Sequence, residues 1–113
     1  MTMITHLQAD NAIESVKELD NLKNLEVLHL RNNKLKSFDG LEALPSLRYL
    51  NVRDNQITDF ASLEKLKENS SLQTIVLKGN AISKENSYRV EVLIVLQQLQ
   101  KLDKDRFEDE GNC

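Results

Sequence analysis

An α/β solenoid is predicted by two observations: a set of aliphatic positions that recurs along the chain, and a change of period near its end. Leu22, Leu25, Leu28, Leu30, Asn33, Leu35, Phe38 and Leu41 recur 22 positions later as Leu44, Leu47, Leu50, Val52, Asn55, Ile57, Phe60 and Leu63. Stretched by three residues, the pattern returns as Leu72, Ile75, Leu77, Asn80 and Ile82. Such units bury their apolar faces only by stacking, and the usual product of the stack is a binding surface rather than a catalytic pocket. The predicted architecture is a right-handed β-α superhelix with a short parallel sheet on its concave side. Short 3₁₀ or helical turns form the convex side, and a helix caps the C-terminal end.

Each element follows from spacing. The aliphatic pair at positions such as 28 and 30 has period two, which sends both side chains inward on a short strand and their neighbours outward. Strands are expected at 27–30, 49–52 and 74–77. Asn33, Asn55 and Asn80 follow them, where a buried amide can satisfy main-chain groups left unpaired by the turn. Leu35, Ile57 and Ile82 point back into the core, and Phe38, Phe60, Leu41 and Leu63 fill the convex side. Short turns are expected at 39–44 and 62–67. The second unit carries Glu68, Asn69 and Ser70 as extra residues, so its convex segment, 61–68, is expected to reach two α-helical turns.

Extrapolation 22 residues back from Asn33, Leu35, Phe38, Leu41 and Leu44 lands on Asn11, Ile13, Val16, Leu19 and Leu22, half a unit. Its strand is expected to be missing, since His6 and Gln8 fall where leucines belong and Leu7 is out of phase. Residues 1–5 resemble the vector-encoded start of β-galactosidase, so 1–10 is read as a leader and the array is expected to have continued upstream. Self-association through an uncovered N-terminal edge around Ile13, Leu28 and Leu30 is then expected. The stack proper spans 11–82.

From 84 to 100 the apolar residues take helical spacing, with Tyr88, Val92, Val95, Leu96 and Leu99 on one face and Ser83 as N-cap. The cap region is set at 83–103 and an acidic tail at 104–113. Val90 and Ile94 fall roughly 200° and 240° from Tyr88 at 100° per residue, on the opposite side, as a candidate second interface.

The units resemble the leucine-rich repeat subfamily that includes the regulatory subunit of type 1 protein phosphatase, the dynein outer-arm light chain and the spliceosomal partner of a U2 protein. Tyr88-Arg89, the spaced Val92, Leu96 and Leu99, and Leu102-Asp103 resemble the cap motif shared by several of these. Ser87-Tyr88-Arg89-x-Glu91, Leu102-Asp103-Lys104 and the acidic Phe107-Glu108-Asp109-Glu110 are similar to the end of a radial-spoke family of motile cilia and sperm flagella. That family's cap carries a proline near Gln97, absent here, and its acidic segment runs on into a long charged helix. The resemblance implies a scaffold that docks one axonemal protein against another without turnover. It leaves regulation of type 1 phosphatase, or a spliceosomal-type partnership with an RNA-binding protein, as alternatives.

Composition points the same way. The 113 residues make one domain, with 18 acids against 15 bases, and this balance suggests neither a nucleic-acid nor a membrane-surface partner. No apolar run approaches the roughly 20 residues that span a bilayer, and no basic start leads into an apolar segment, so a cytoplasmic setting is expected, including the axoneme of a cilium or flagellum. The one cysteine, Cys113, excludes an internal disulfide and fits a reducing compartment. Without export the glycosylation acceptor at Asn69-Ser70-Ser71 is idle. Two histidines, His6 and His29, pair with no nucleophile, Asp54 to Asp59 lacks a second metal-ligand type, and Gly40, Gly79 and Gly111 make no phosphate loop. No enzyme, metal or cofactor is expected.

The predicted binding residues lie on the concave face in three columns, set by Val27, His29 and Arg31, by Tyr49, Asn51 and Arg53, and by Thr74, Val76 and Lys78. At about 4.8 Å between strands, Arg31, Arg53 and Lys78 stack into a cationic row on a net acidic chain. The row suits a partner's carboxylates, with Tyr49 as anchor and His29 as a neutral hydrogen-bonding group.

Overall fold

The structure, a computed structural model, describes residues 3–6, 24–39, 41 and 44–106. One sheet holds six strands in chain order: β1 (Met3–His6), β2 (Leu25–His29), β3 (Tyr49–Asn51), β4 (Thr74–Val76), β5 (Lys101–Leu102) and β6 (Asp105–Arg106). The first five run parallel and β6 turns back antiparallel. Val27, Tyr49, Thr74 and Lys101 stand opposite one another in register, as do Leu28, Leu50, Ile75 and Leu102.

The expectation of a missing first strand is overturned. Ile4 lies opposite Val27 and His6 opposite His29, a step of 23 positions where extrapolation used 22. Loop length between parallel strands absorbs the extra residue, whereas a fixed-step extrapolation shifts every side chain to the other face. Leu28 and Leu30 are fully buried, so among the described residues neither forms the open apolar edge predicted there. The half unit at Asn11, Ile13, Val16, Leu19 and Leu22 lies outside the described residues, as does the acidic run from Phe107.

The asparagines form a ladder. Asn55 Nδ2 donates to the carbonyls of Val52 (2.9 Å) and Leu30 (3.0 Å), while its Oδ1 accepts the Leu35 amide at 3.0 Å. Asn80 repeats this one unit on, donating to Leu77 and Val52 and accepting from Ile57. Just before each rung the backbone enters the left-handed region, at Asn32, Asp54 and Gly79. Asn and Asp tolerate that conformation, and glycine adopts it freely.

The convex side is built on a period of three. Phe38, Leu41, Leu44 and Leu47 are all buried and joined by successive i to i+3 backbone bonds of 3.0, 3.2 and 3.1 Å. In the second unit the same stripe runs through Leu63, Leu66, Asn69 and Leu72. Its helical segment, Phe60–Glu68, is 3₁₀ throughout rather than α. A 3₁₀ turn holds three residues, so side chains three apart eclipse, and these spacings select it over 3.6 residues per turn. Asp59 caps the segment by accepting from the Ser62 amide at 2.9 Å. The three extra residues thus add one 3₁₀ turn without shifting the stripe. Asn69 is the added rung; it is fully buried, which removes its sequon from any surface, and its Nδ2 reaches the Leu41 carbonyl at 2.9 Å.

The cap differs from its predicted extent of 84–100. A 3₁₀ segment, Ala81–Lys84, precedes helix α1 (Tyr88–Val95). Ser83 does not cap a helix; its hydroxyl donates to the Asn80 carbonyl at 2.7 Å. Past α1 the chain must return to the sheet: the Leu99 amide bonds Leu96, and the Gln100 and Lys101 amides both bond the Gln73 carbonyl. Val92, Leu96, Leu99 and Leu102 are buried, closing the core.

Candidate partner-binding face

The concave face is placed by the register of β2 to β5. Beyond the strands the ladder continues through the Asn32 amide to the Arg53 carbonyl (2.9 Å) and the Asp54 amide to the Lys78 carbonyl (3.0 Å). Arg31, Arg53 and Lys78 therefore sit in consecutive units and are exposed. They line one open cavity of about 300 Å³ together with Tyr49, Asn51, Thr74 and Val76. His29 and Val27 stand apart from it. His29 lies against Tyr49, with ring centroids 5.3 Å apart and planes tilted by 45°, and Val27 shows only 9% of its surface, too little to anchor a partner. Val90 and Ile94 are where helical spacing puts them, on the outer face of α1 at 62% and 58% exposure.

Three residues of the cavity lie beyond the predicted columns: Lys101, Asp103 and Lys104. The expected helical spacing runs past the end of α1, and of the expected acidic tail residues 104–106 belong to the hairpin, the rest lying outside the described residues. A signal for these three exists in the chain. Leu25 and Leu28, Leu47 and Leu50, and Leu72 and Ile75 are followed by Leu99 and Leu102 at the same spacing, and all eight are buried. The matching backbone bonds recur too, since the Arg48 carbonyl accepts from Gln73 and Thr74 as the Gln73 carbonyl does from Gln100 and Lys101.

Asp103 keeps its charge but forms no ion pair with these cations among the described residues, and its oxygens accept donors from within the fold. Oδ1 accepts the backbone amides of Leu77 (2.9 Å) and Lys78 (3.0 Å), and Oδ2 accepts the Tyr88 hydroxyl at 2.9 Å. Arg53 meets Asp54 at 3.5 Å, both about half exposed, an ion pair of the kind water largely screens. Among the described residues no carboxylate lies within 4 Å of the Lys78, Lys101 or Lys104 ammonium groups. The face is thus more basic than the columns alone imply. It holds no group of three or more metal-ligating side chains among the described residues.

Tandem β-turn units, an asparagine ladder and a capped concave sheet define a leucine-rich repeat protein. The chain belongs to that family: the model of Leucine Rich repeats (2 copies) matches residues 5–43 and 23–67. It is similar to leucine-rich repeat-containing protein 23 of Bos taurus, at 40% identity over 103 residues, and of Xenopus tropicalis, at 45% over 99. These matches cover 90% and 87% of this chain, which spans only 30% and 28% of those relatives. Among solved structures it is similar to a chain of the Drosophila melanogaster SNF/U2A′ complex, with TM-score 0.77, 26% identity, and coverage of 96% of this chain and 62% of that one. An internalin of Listeria monocytogenes matches with TM-score 0.63 and 29% identity, over 83% of this chain and 26% of that one.

Proposed function

We propose that this chain is a non-enzymatic scaffold whose concave face docks an acidic segment of a protein partner, within a radial-spoke-type assembly of a ciliary or flagellar axoneme. The observation that carries the binding reading is the set of cations on one concave cavity, Arg31, Arg53, Lys78, Lys101 and Lys104, of which Arg53 is ion-paired, to Asp54, on a chain whose net charge is −3. Arginine suits this task because its fork takes a carboxylate through two hydrogen bonds. Support for the axonemal setting comes from the identity to leucine-rich repeat-containing protein 23 and from the cap that resembles the radial-spoke family. No helix among the described residues is long and apolar enough to cross a membrane. Val90 and Ile94 offer a second, apolar contact for the same assembly.

The test is retention of radial-spoke proteins from axonemal extract by the immobilised chain and by its R31E/R53E/K78E variant. Retention by the first and loss by the second is the expected result; equal retention, or none by either, counts against it. A second reading, partnership with an RNA-binding protein, is supported by the likeness to the SNF/U2A′ structure. Regulation of type 1 phosphatase calls for acidic and aromatic residues along the groove; this groove is basic with Tyr49 as its aromatic, and absence of binding to purified catalytic subunit is expected.

A further inference from the structure

A second cavity opens where the groove meets the cap. It measures about 690 Å³ and lies among the Gly79 turn, the Ala81–Lys84 segment, the start of α1 and the β5–β6 hairpin. Five bases line it, Arg53, Lys78, Lys84, Arg89 and Lys104, against two acids, Asp103 and Asp105. Each base comes from a different element of the fold. Asp103 is held by three internal donors, and the exposed Asp105 lies 3.7 Å from Arg89. Arg53, Lys78, Asp103 and Lys104 line this cavity and the groove alike, so the two are continuous.

We propose that this cavity is a phosphate subsite that takes a phosphoserine or phosphothreonine carried by the segment bound in the groove. The inference rests on the groove reading above and goes beyond it in naming the modification recognised. Single carboxylates along an extended segment match a row of cations one by one. Five cations lining one cavity from different elements, with Arg53 and Arg89 also held in ion pairs to Asp54 and Asp105, match instead a compact dianion with three acceptor oxygens, which a phosphomonoester is near neutral pH. Bases grouped around one cavity, rather than strung along a line, suit a side-chain phosphate better than a continuous polyanion such as RNA. Phosphorylation of the partner then acts as a switch on docking.

The experiment measures binding of a fluorescent acidic dodecapeptide, with one central residue as serine, phosphoserine or glutamate, to the wild-type chain, R31E and K84Q/K104Q. Arg31 lines the groove and not the cavity, whereas Lys84 lines the cavity and not the groove. Phosphoserine is expected to tighten binding roughly tenfold over serine in the wild type through charge-assisted bonds, with glutamate between them. K84Q/K104Q should reduce that gain to about threefold or less, since two of the cations that make it are gone. R31E should weaken all three peptides and leave the ratio between them unchanged. Binding of the serine peptide with no gain from phosphate, or a gain that survives K84Q/K104Q, overturns the subsite while leaving the groove reading intact. Failure of all three peptides overturns the groove reading itself. Oligouridylate bound more tightly than the phosphopeptide overturns the assignment to a side chain. Thermal unfolding of each variant confirms that these surface changes leave the fold in place.

Discussion

The Tyr88 hydroxyl and the Asp103 carboxylate, 15 residues apart, meet at 2.9 Å and tie the capping helix to the hairpin that ends the sheet. The other oxygen of the same carboxylate holds the amides that follow β4, so one acid joins three elements. Tyr88→Phe strips Oδ2 of its donor in a partly buried place. The expected loss is about 1.5–3 kcal/mol, typical of a hydrogen bond to a charged group. Urea unfolding should show a lower midpoint at unchanged slope.

The same pair sets an alkaline limit. Burial, then the Asp103 charge and the hydrogen bond to it, push the Tyr88 hydroxyl far above the ordinary phenol value. In the unfolded chain it ionises near about 10, so its contribution is complete below that pH and is lost as pH rises beyond it. Unfolding midpoints should fall with rising alkaline pH, and more steeply in the wild type than in Tyr88→Phe. Parallel slopes would remove Tyr88 as the cause.

Gly79 is constrained twice. Its φ is +86°, and a Cβ there would sit 1.8 Å from Asp54 Oδ1. Gly79→Ala should cost about 1–2 kcal/mol for the left-handed backbone and more for the clash. Adding Asp54→Gly should recover the clash portion alone. A thermodynamic cycle over the four proteins measures this; strict additivity would mean that the two residues do not meet.

Asn80→Ala leaves the buried Ile57 amide without an acceptor, while the Val52 and Leu77 carbonyls each keep another donor. The expected cost is about 2–3 kcal/mol, near the penalty for one buried unsatisfied group plus the lost bonds. Asn80→Asp should cost more at neutral pH, because burial opposes the charge, and should recover on acidification as the protonated acid regains a donor. Thermal scans at two pH values read both.

Deleting residues 68–70 removes one 3₁₀ turn and restores a 22-residue step between Tyr49 and its partner in β4. The stripe through Leu63 and Leu66 then meets Leu72 directly. A folded chain with unchanged sheet signal is expected. Its midpoint should be lower, because Gln98 Nε2, which reaches the Leu66 and Asn69 carbonyls at 3.2 and 3.1 Å, loses the latter. Collapse of the fold would contradict the whole-turn account.

The inner surface was largely legible in the chain because a period of two and a fixed asparagine leave little freedom. Leu28 and Leu30, Leu50 and Val52, and Ile75 and Leu77 are all buried where the pattern places them. The outer surface was less legible. Leu63 and Leu66 suit both an α-helix and a 3₁₀ run, and Asn69 is needed to extend the period of three. The β5–β6 hairpin was hidden because Leu96 and Leu99 continue a helical face while also leading into a strand. In the binding face, seven of nine predicted residues share one cavity, and Lys101 and Lys104 were missed with that hairpin. The phosphate cavity had no sequence signature, since its bases come from five separate segments.

The steps between paired strands are unequal: 22 from Val27 to Tyr49, 25 from Tyr49 to Thr74 and 27 from Thr74 to Lys101. Near-identical units invite misalignment, because a strand that pairs one place too early still finds aliphatic neighbours and an asparagine. Here a slipped pairing would set a short arc beside a long one and leave the Asn69 turn facing nothing that fits it. The differing lengths therefore give each unit an address, and the order of the stack is written on its outside.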